Sequence, residues 1–176
     1  IQWKWPTATS VDGYYLYSSS APGIITVSSN TSSYTDTGLG VNKAYTRWIA
    51  PYTGASTGTV SQQIIKYTHA LPPDSFTLSS VTTTGAYLEW RYSTATAYAI
   101  EGSTDGGASY YRIRDSFVPW QTVQLMSNRS YRIRIGALNG DNELSPGYYS
   151  SVQLATTSPL NMTMTGVAVS SDTIQW

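Results

Sequence analysis

Three copies of one short pattern set the period of this chain. Ile1-Gln2-Trp3 begins it, Ile174-Gln175-Trp176 ends it, and Leu88-Glu89-Trp90 lies between, so that the tryptophans are 87 and 86 residues apart (90 − 3 and 176 − 90). A fixed period of this length is typical of a tandem array of similar units. Because both ends fall at the same phase of the repeat, we expect a piece of a longer array or a unit that a neighbour completes.

Composition narrows the class of protein. The 176 residues accommodate two units with a small core each. Ten basic and ten acidic side chains give zero formal net charge, which argues against nucleic acid or an anionic membrane as a partner. Cysteine is absent, which excludes disulfides and thiolate chemistry and favours a bacterial or archaeal source for an extracellular repeat protein. Fifteen tyrosines and abundant Ser and Thr favour β-structure.

Short runs that alternate apolar and polar residues predict strands throughout the chain. Asp105-Gly106-Gly107 predicts a tight hairpin, since glycine readily adopts positive φ. Pro72-Pro73 and Ser158-Pro159 predict a short, stiff linker after each unit, because proline fixes φ. The alternating runs are 14–16, 25–27, 76–78, 98–100, 111–113, 131–135 and 162–164.

A second match lies in the middle of each unit, where a leucine precedes a tyrosine by six positions (Leu39 and Tyr45, Leu125 and Tyr131). Together with a tryptophan on the second strand, this spacing resembles the fibronectin type III domain. The resemblance covers essentially the whole chain. It implies an all-β fold of tandem immunoglobulin-like β-sandwiches, in which each of these tyrosines forms a tyrosine corner with its hydroxyl bonded to nearby backbone. The structural positions it implies are Trp3, Trp90, Trp176, Leu39, Tyr45, Leu125 and Tyr131.

The resemblance also divides the chain. It predicts a first unit at 1–69 that lacks strand A, a linker at 70–73, a complete unit at 74–156, and a linker with strand A and the start of strand B of a third unit at 157–176. Arg47 departs from the pattern, because the second unit has Ile133 at that core position. Burying an unpaired charge is costly, so either a bulge turns Trp48 inward or Arg47 reaches the sandwich edge. We favour the bulge.

An inventory of reactive side chains indicates no enzyme. The single histidine, His69, lies in the linker, so a nucleophilic triad would have to form there, and the scattered acids supply no evident cleft for paired carboxylates. Asp141-Asn142-Glu143 is far shorter than a calcium loop, and we interpret it as a polar turn. Asn139-Gly140-Asp141 occupies the place of the integrin-binding Arg-Gly-Asp of adhesive relatives. We predict no catalytic, cofactor-binding or metal-binding residue and no cofactor.

Two surface features are candidate contacts. Four arginines are expected around Glu101 on one outer sheet face. They could form a platform that binds acidic sugars or an acidic strip of a partner, or they could pair with charges on neighbouring strands. We favour the cross-strand charge pairing. More aromatic rings are present than two small cores hold, so some are expected to contact other repeats, other chains or carbohydrate, or to cover neighbouring strands. The arginines are Arg112, Arg114, Arg132 and Arg134, and the candidate aromatic contacts are Trp5, Trp120, Tyr148 and Tyr149.

These observations favour a non-enzymatic, extracellular or cell-surface structural or adhesive protein, part of a fibre, stalk or filament. The expected partners are neighbouring repeats or identical chains, with strand complementation as one route, although head and tail both supply an Ile-Gln-Trp segment and only one can occupy strand B. The alternative is a spacer or carbohydrate-binding accessory module of a secreted polysaccharide-degrading enzyme. Glycosylation motifs begin at Asn30, Asn128 and Asn161.

Overall fold

A computed structural model of the chain describes residues 1–19, 23–160, 168–170 and 173–175. None of the described residues forms a helix that is long and apolar enough to cross a membrane. The strands of the described residues are β1 (Gln2–Lys4), β2 (Gly13–Ser18), β3 (Ile25–Ser28), β4 (Ser33–Thr35), β5 (Ala44–Thr53), β6 (Ser56–Thr57), β7 (Ile64–Tyr67), β8 (Thr77–Ser79), β9 (Gly85–Glu89), β10 (Ala97–Ser103), β11 (Tyr111–Ser116), β12 (Trp120–Gln124), β13 (Ser130–Leu138), β14 (Leu144–Tyr149), β15 (Gln153–Thr156), β16 (Ala168–Ser170) and β17 (Thr173–Gln175).

Strands β8 to β15 form two antiparallel sheets, which we call the second sandwich. One sheet has the order β12-β9-β8, and the other has the order β11-β10-β13-β14, with β15 also paired to β13. Alternate residues of both sheets point inward and meet in one core, as expected for strands with one buried face. The largest buried side chains of this core include Leu88, Trp90, Tyr98, Ile100, Tyr131, Ile133 and Ile135. The predicted all-β sandwich class is confirmed.

Strands β1 to β7 form the first sandwich by the same plan. Its larger sheet has the order β3-β2-β5, and β5 pairs with β6 at one end and with β7 at the other. Within the described residues, its smaller sheet consists of β1 and β4, whereas the corresponding sheet of the second sandwich has three strands. Trp3 on β1 and Tyr14 and Leu16 on β2 are buried between the sheets.

Each sandwich has a tyrosine whose hydroxyl accepts a hydrogen bond from backbone five residues earlier. Gly40 N donates to Tyr45 Oη at 2.8 Å, and Met126 N donates to Tyr131 Oη at 2.9 Å. Tyr131 is buried, and Tyr45 is half-buried. Of the other residues implied by the resemblance, Trp3, Trp90 and Leu125 are buried, Leu39 is half-buried, and Trp176 lies outside the described residues.

The expected bulge at Arg47 is absent, because β5 pairs with β2 in continuous register through Tyr17–Trp48 and Ser18–Arg47. Arg47 stays on the inward side and is paired. Its Nη2 lies 2.5 Å from Asp36 Oδ1 and its Nε 3.1 Å from Asp36 Oδ2, while the Trp3 indole donates to Oδ2 at 2.7 Å. An ion pair inside the first sandwich therefore replaces the apolar contact that Ile133 makes in the second.

Hydrogen bonding keeps the Asp36 carboxylate charged. Burial by itself would raise the pKa of Asp36, but the hydrogen bonds from Arg47 and Trp3, together with the positive charge of Arg47, outweigh burial and lower the pKa below 3.8. In the second sandwich, the buried indole N–H of Trp90 has no hydrogen-bond partner among the described residues. The two tryptophans of the repeat thus have different polar surroundings.

The predicted hairpin at 105–107 is confirmed between β10 and β11, and Gly106 and Gly107 have φ of 78° and 95°. The Asp105 carboxylate closes the turn by accepting from Ser103 Oγ and from Ser109, and these hydrogen bonds hold its pKa well below the ordinary value. Beyond the second sandwich, β16 pairs with β17 through Val169 and Ile174. The predicted strand at 162–164 lies outside the described residues.

Candidate functional site

The arginine platform is smaller than the sequence predicts. Glu101 is 8% exposed, and its ion pairs among the described residues are with Arg134 (Nη2 to Oε2, 2.9 Å) and Arg112 (Nε to Oε1, 3.7 Å). A break in the β10–β11 register between Ile100 and Glu101 sets Arg114 opposite Ile100, and Arg132 lies opposite Ser103 at the other end of β10. Two guanidinium groups, not four, therefore gather at the carboxylate.

Arg134 is held between two tyrosine rings. Its Cζ lies 3.8 Å from the ring centroid of Tyr110 and 3.6 Å from that of Tyr149, a geometry suited to cation–π attraction on both faces. Burial and the negative charge of Glu101 raise the pKa of Tyr149. Because each flat surface of the guanidinium is covered and one edge is bonded to Glu101, Arg134 stabilises the sheet instead of presenting a free cation.

The first sandwich carries aromatic pairs on the corresponding outer face. Tyr15 stacks on Tyr52 with centroids 4.3 Å apart and ring planes at 13°, and Tyr17 stacks on Trp48 at 5.8 Å and 11°. Between the pairs, Ala50 has no exposed surface. These four rings form an outer-face row on adjacent strands β2 and β5.

The four aromatic contacts predicted from the sequence do not form one surface. Trp5 is half-buried and packs edge-on against Tyr14 at 5.9 Å, whereas Trp120 is half exposed on β12. Tyr149 covers Arg134, and the side chain of Tyr148 lies outside the described part of the structure. Trp5 and Tyr149 therefore cover neighbouring residues.

The largest group of polar contacts between distant parts of the chain lies where the two sandwiches meet. We call it the junction: Asn42, Lys66 and Tyr67 of the first sandwich, the linker residues Ala70 and Leu71, and Thr94, Thr96, residues 139–143 and Ser145 of the second. Its scaffold is the loop between β13 and β14. Asn139 is buried there, and its Oδ1 accepts from Asp141 N and Glu143 N at 3.0 and 2.9 Å. Hydrogen bonds within the second sandwich therefore hold the conformation of the loop that contacts the first sandwich.

Asn42 is bonded to two loops of the second sandwich. Its Nδ2 donates to Thr94 O at 2.5 Å and to Thr96 Oγ1 at 3.1 Å, and its Oδ1 accepts from Gly140 N at 2.9 Å. Its own φ is 46°, in the left-handed region that asparagine tolerates better than most residues. One side chain thus uses both its donor and acceptor groups across the junction.

The end of β7 contacts the same loop. Tyr67 N donates to Asp141 Oδ2 at 2.8 Å, and Asn139 Nδ2 donates to Tyr67 O at 3.4 Å. Lys66 Nζ lies 3.3 Å from Asp141 Oδ2 and is bonded to Glu143 Oε1, and the hydrogen bond to Glu143 is the main cause of the raised pKa of Lys66. Both acids of the loop therefore face the single lysine of β7.

Linker backbone and close packing complete the junction. Ala70 N donates to the buried Ser145 Oγ at 3.0 Å, and Leu71 N donates to Thr94 Oγ1 at 2.9 Å. A Cβ added at Gly140 would lie 2.3 Å from Cε1 of the Tyr67 ring, so only glycine fits there without displacing the ring. Both linker amides are therefore bonded to the second sandwich, and the linker is not a free tether.

The sequence interpretation of residues 141–143 as a polar turn omitted the role of this loop between the sandwiches. A topological signal was available: in an antiparallel sandwich, the loop between the last two strands lies at the end where the preceding linker enters. The opposite charges of the two acids in that loop and of Lys66, just before the linker, were the sequence signal for a contact between the sandwiches. His69 is exposed in the linker, and the described residues contain no cluster of three His, Cys, Asp or Glu that could hold a metal ion.

No protein-family model matches the chain, and no curated protein matches it in sequence. Among solved structures, it is similar to the FN1–FN3 domains of chicken contactin (CNTN1), with a TM-score of 0.55 and 15% identity over 89% of this chain and 62% of that one. The chain therefore spans less than two thirds of the contactin fragment. A two-domain fibronectin type III segment of chicken tenascin aligns with a TM-score of 0.41 and 17% identity over 88% of this chain and 89% of that one.

Identity of this degree shows the fold alone. Two sheets per unit and a tyrosine corner in each agree with the likeness to the contactin domains. The chain has the fold of tandem fibronectin type III domains.

Proposed function

We propose that the chain is a non-enzymatic structural or adhesive repeat protein, a segment or subunit of a fibre, stalk or surface filament outside the cell or at its surface. An origin in a bacterium or archaeon, which the cysteine-free composition favours, belongs to the same proposal. The single observation that carries the proposal is the junction. Its contacts orient one sandwich on the next, as a load-bearing or spacing array requires.

The chemistry of the junction suits a stiff but reversible connection. A net contribution of about 0.5–1.5 kcal/mol is typical of a neutral hydrogen bond, and exposed ion pairs contribute about 0.2–1 kcal/mol each. Asn42, Tyr67 and the linker amides make several such bonds at once. The sum is large enough to favour one orientation and small enough for the contact to open under load without unfolding either sandwich.

The test is a distance measurement between the sandwiches in the full chain. Since the chain lacks cysteine, Thr26→Cys on β3 and Thr122→Cys on β12 attach spin labels at exposed sites, and pulsed electron resonance reports the distribution of distances. We expect one narrow distribution, which Gly140→Ala broadens because the new methyl group displaces the Tyr67 ring.

Gly40→Ala is the matched control. Its added Cβ meets only flexible parts of Lys43 and the hydroxyl of Tyr45, the nearest atom being Lys43 Cγ at 3.2 Å, so the narrow distribution should persist. A broad distribution in the unsubstituted chain would show that the sandwiches move independently and would refute the stiff-array proposal.

A second candidate is the carbohydrate-binding or spacer module, and the outer-face row of the first sandwich favours it. Rings on one face can stack on sugars, although within each stacked pair the facing surfaces are already covered. Affinity electrophoresis in gels containing soluble polysaccharides tests this candidate. Retardation that Trp48→Ala abolishes would support it, and unchanged mobility in every gel would end it.

Strand complementation is a further part of the proposal on partners. A groove beside β1 is lined by Trp5, Ile49 and Ile64 among other residues. In the second sandwich, the segment before β8 runs along the corresponding place: Arg91 N donates to Asp74 O at 3.0 Å, and Phe76 is buried. The intact mass of native material under denaturing conditions is decisive, because a mass far above 19.2 kDa would exclude strand donation between separate subunits.

A further inference from the structure

We infer that the far end of the second sandwich, centred on Asn128, is a docking surface for the loops of a following sandwich of the same kind. The inference rests on the proposed function and extends it, because it assigns a second, equivalent junction to residues that make no such contact with the part of the chain that the structure describes. The expected partner groups are a backbone carbonyl and a hydroxyl like those of Thr94 and Thr96, and a loop amide like that of Gly140.

Four hydrogen bonds hold the turn that carries Asn42. Asn42 N donates to His69 O at 3.0 Å, and Thr68 N donates to Lys43 O at 3.1 Å. The Thr68 hydroxyl donates to Gly40 O at 2.6 Å and accepts from Lys43 N at 3.0 Å. These four bonds fix the turn that presents the Asn42 side chain to the second sandwich.

The same four bonds occur at the far end of the second sandwich. Asn128 N donates to Ser158 O at 3.1 Å, and Thr157 N donates to Arg129 O at 2.9 Å. The Thr157 hydroxyl donates to Met126 O at 2.7 Å and accepts from Arg129 N at 3.0 Å. The turn that presents Asn42 is thus reproduced, bond for bond, around Asn128.

The two asparagine residues share a backbone conformation but differ in the hydrogen bonds of their side chains. Both residues have positive φ, 46° at Asn42 and 53° at Asn128, so their side chains leave the backbone in the same direction. The Asn42 amide makes three bonds to the second sandwich. Asn128 is exposed, and its amide makes no hydrogen bond with any described residue. A preformed donor and acceptor of the same orientation are therefore present at the far end, without a partner among residues 1–19, 23–160, 168–170 and 173–175.

Apolar side chains are exposed at the same end of the second sandwich as Asn128. Met126 is 67% exposed and Leu160 is 64% exposed, and both lie at the far end, since Met126 O is bonded to Thr157 and Leu160 is two residues beyond Ser158. Exposed large apolar side chains at one end of a sandwich favour a covering partner. The corresponding linker residue at the junction, Leu71, donates its backbone N–H to Thr94 of the second sandwich.

The loops of a sandwich like the second one fit this surface better than those of the first. At the junction, Gly140 N is available to Asn42. In the first sandwich, the amide of the corresponding Gly54 already donates to Asp12 Oδ2 at 2.7 Å within the same unit. The first sandwich of another copy therefore lacks the free amide, and the partner is a unit whose loop resembles residues 139–143.

The test extends the full chain by its own second unit. A duplicate of residues 70–158 is inserted between Ser158 and Pro159, which places the second sandwich's own linker and loops at the Asn128 surface. One labelled protein carries Thr26→Cys and Thr122→Cys and reports the original junction. Another carries Thr122→Cys and the same substitution in the duplicate and reports the new one. We expect a narrow distance distribution from both.

Variants separate the two junctions. Asn128→Gly in the first copy keeps the positive φ and removes the amide, so the narrow distribution of the new junction should be lost while the original one is kept. Asn42→Gly should do the reverse. Ser10→Gly, at a residue of positive φ (61°) in the first sandwich and outside the junction, is the control that should change neither.

Each alternative outcome has a definite meaning. A broad distribution at the new junction with a narrow original one overturns the inference and leaves the proposed function standing, whereas two broad distributions overturn both. A new junction that stays narrow in Asn128→Gly overturns the assignment to Asn128. Peptide mass spectrometry that finds a glycan on Asn128 in native material also overturns it, because the sugar would occupy the nitrogen that must donate.

Discussion

Replacing Asp36 by asparagine should destabilise the first sandwich far more than an exposed substitution would. The Asp36 and Arg47 side chains are 8% and 11% exposed, and the carboxylate accepts from both Arg47 and Trp3. Asparagine retains one acceptor oxygen for these donors and leaves the Arg47 charge buried without a counter-charge. Removing one partner of such a pair costs about 3–5 kcal/mol, against a total stability of about 5–15 kcal/mol for a typical domain.

Equilibrium unfolding of the full chain in urea, followed by tryptophan fluorescence, measures this loss. With an m-value of about 1–2 kcal/mol/M, the midpoint of the first sandwich should fall by roughly 1.5 M or more. The second sandwich, whose core has Ile133 in place of Arg47, is the internal control and should keep its midpoint. A fall of less than about 0.5 M in the first sandwich would contradict the reasoning, because the Arg47 charge would then have an adequate alternative partner.

The double variant Arg47→Ile with Asp36→Asn separates charge burial from general damage. Isoleucine copies the second sandwich, and asparagine still accepts from the Trp3 indole. Replacing a buried ion pair by uncharged residues of similar volume is often neutral or stabilising. The double variant should therefore be more stable than either single variant. Additive losses would show that the two side chains are not energetically coupled.

Three further outcomes follow from other parts of the structure. Because the pKa of Asp36 is lowered, its charge stabilises the fold above pH 3.8, and this contribution is lost as the pH falls through the folded-state pKa. The urea midpoint of the first sandwich should therefore decrease when the pH is lowered from about 5 to 2, and this decrease should be smaller in Asp36→Asn. Arg134→Met should destabilise the second sandwich by about 1–3 kcal/mol in the same assay, because Glu101 loses its nearer partner but keeps Arg112. The double variant with Glu101→Gln should recover stability; no recovery would argue against a buried charge at that site. Tyr131→Phe should cost about 1–2 kcal/mol and Tyr45→Phe less, since Tyr45 is more exposed, and equal losses would contradict this ranking.

Local patterns in the sequence predicted the fold because they mark core positions. The leucine–tyrosine spacing specifies where the tyrosine hydroxyl meets the backbone, and it depends on residues close in sequence. The tryptophan period adds that the same short pattern of inward-facing side chains recurs in each unit. The hairpin at 105–107 was predictable for the same reason. Sheet class, strand alternation and turn positions all follow from such short-range chemistry.

Contacts between separate strands could not be predicted from these short-range patterns. Arg47 was predicted to be displaced because its partner, Asp36, follows a different strand, and alternation along β5 carries no information about it. Two of the four arginines predicted around Glu101 are not paired with it. One reason is the irregular step in the β10–β11 register, which sets Arg114 opposite Ile100. The junction depends on the relative orientation of two units, which strand periodicity within either unit does not specify.

The buried ion pair of the first sandwich also constrains how such an array can evolve. Tandem repeats exchange segments readily by recombination between similar units. Asp36 and Arg47 are eleven residues apart in sequence, so a crossover that falls between them delivers one charged residue to a core without the other. Each product would carry an unmatched charge or an unmatched apolar contact, and the two residues are therefore expected to be inherited together as a single block.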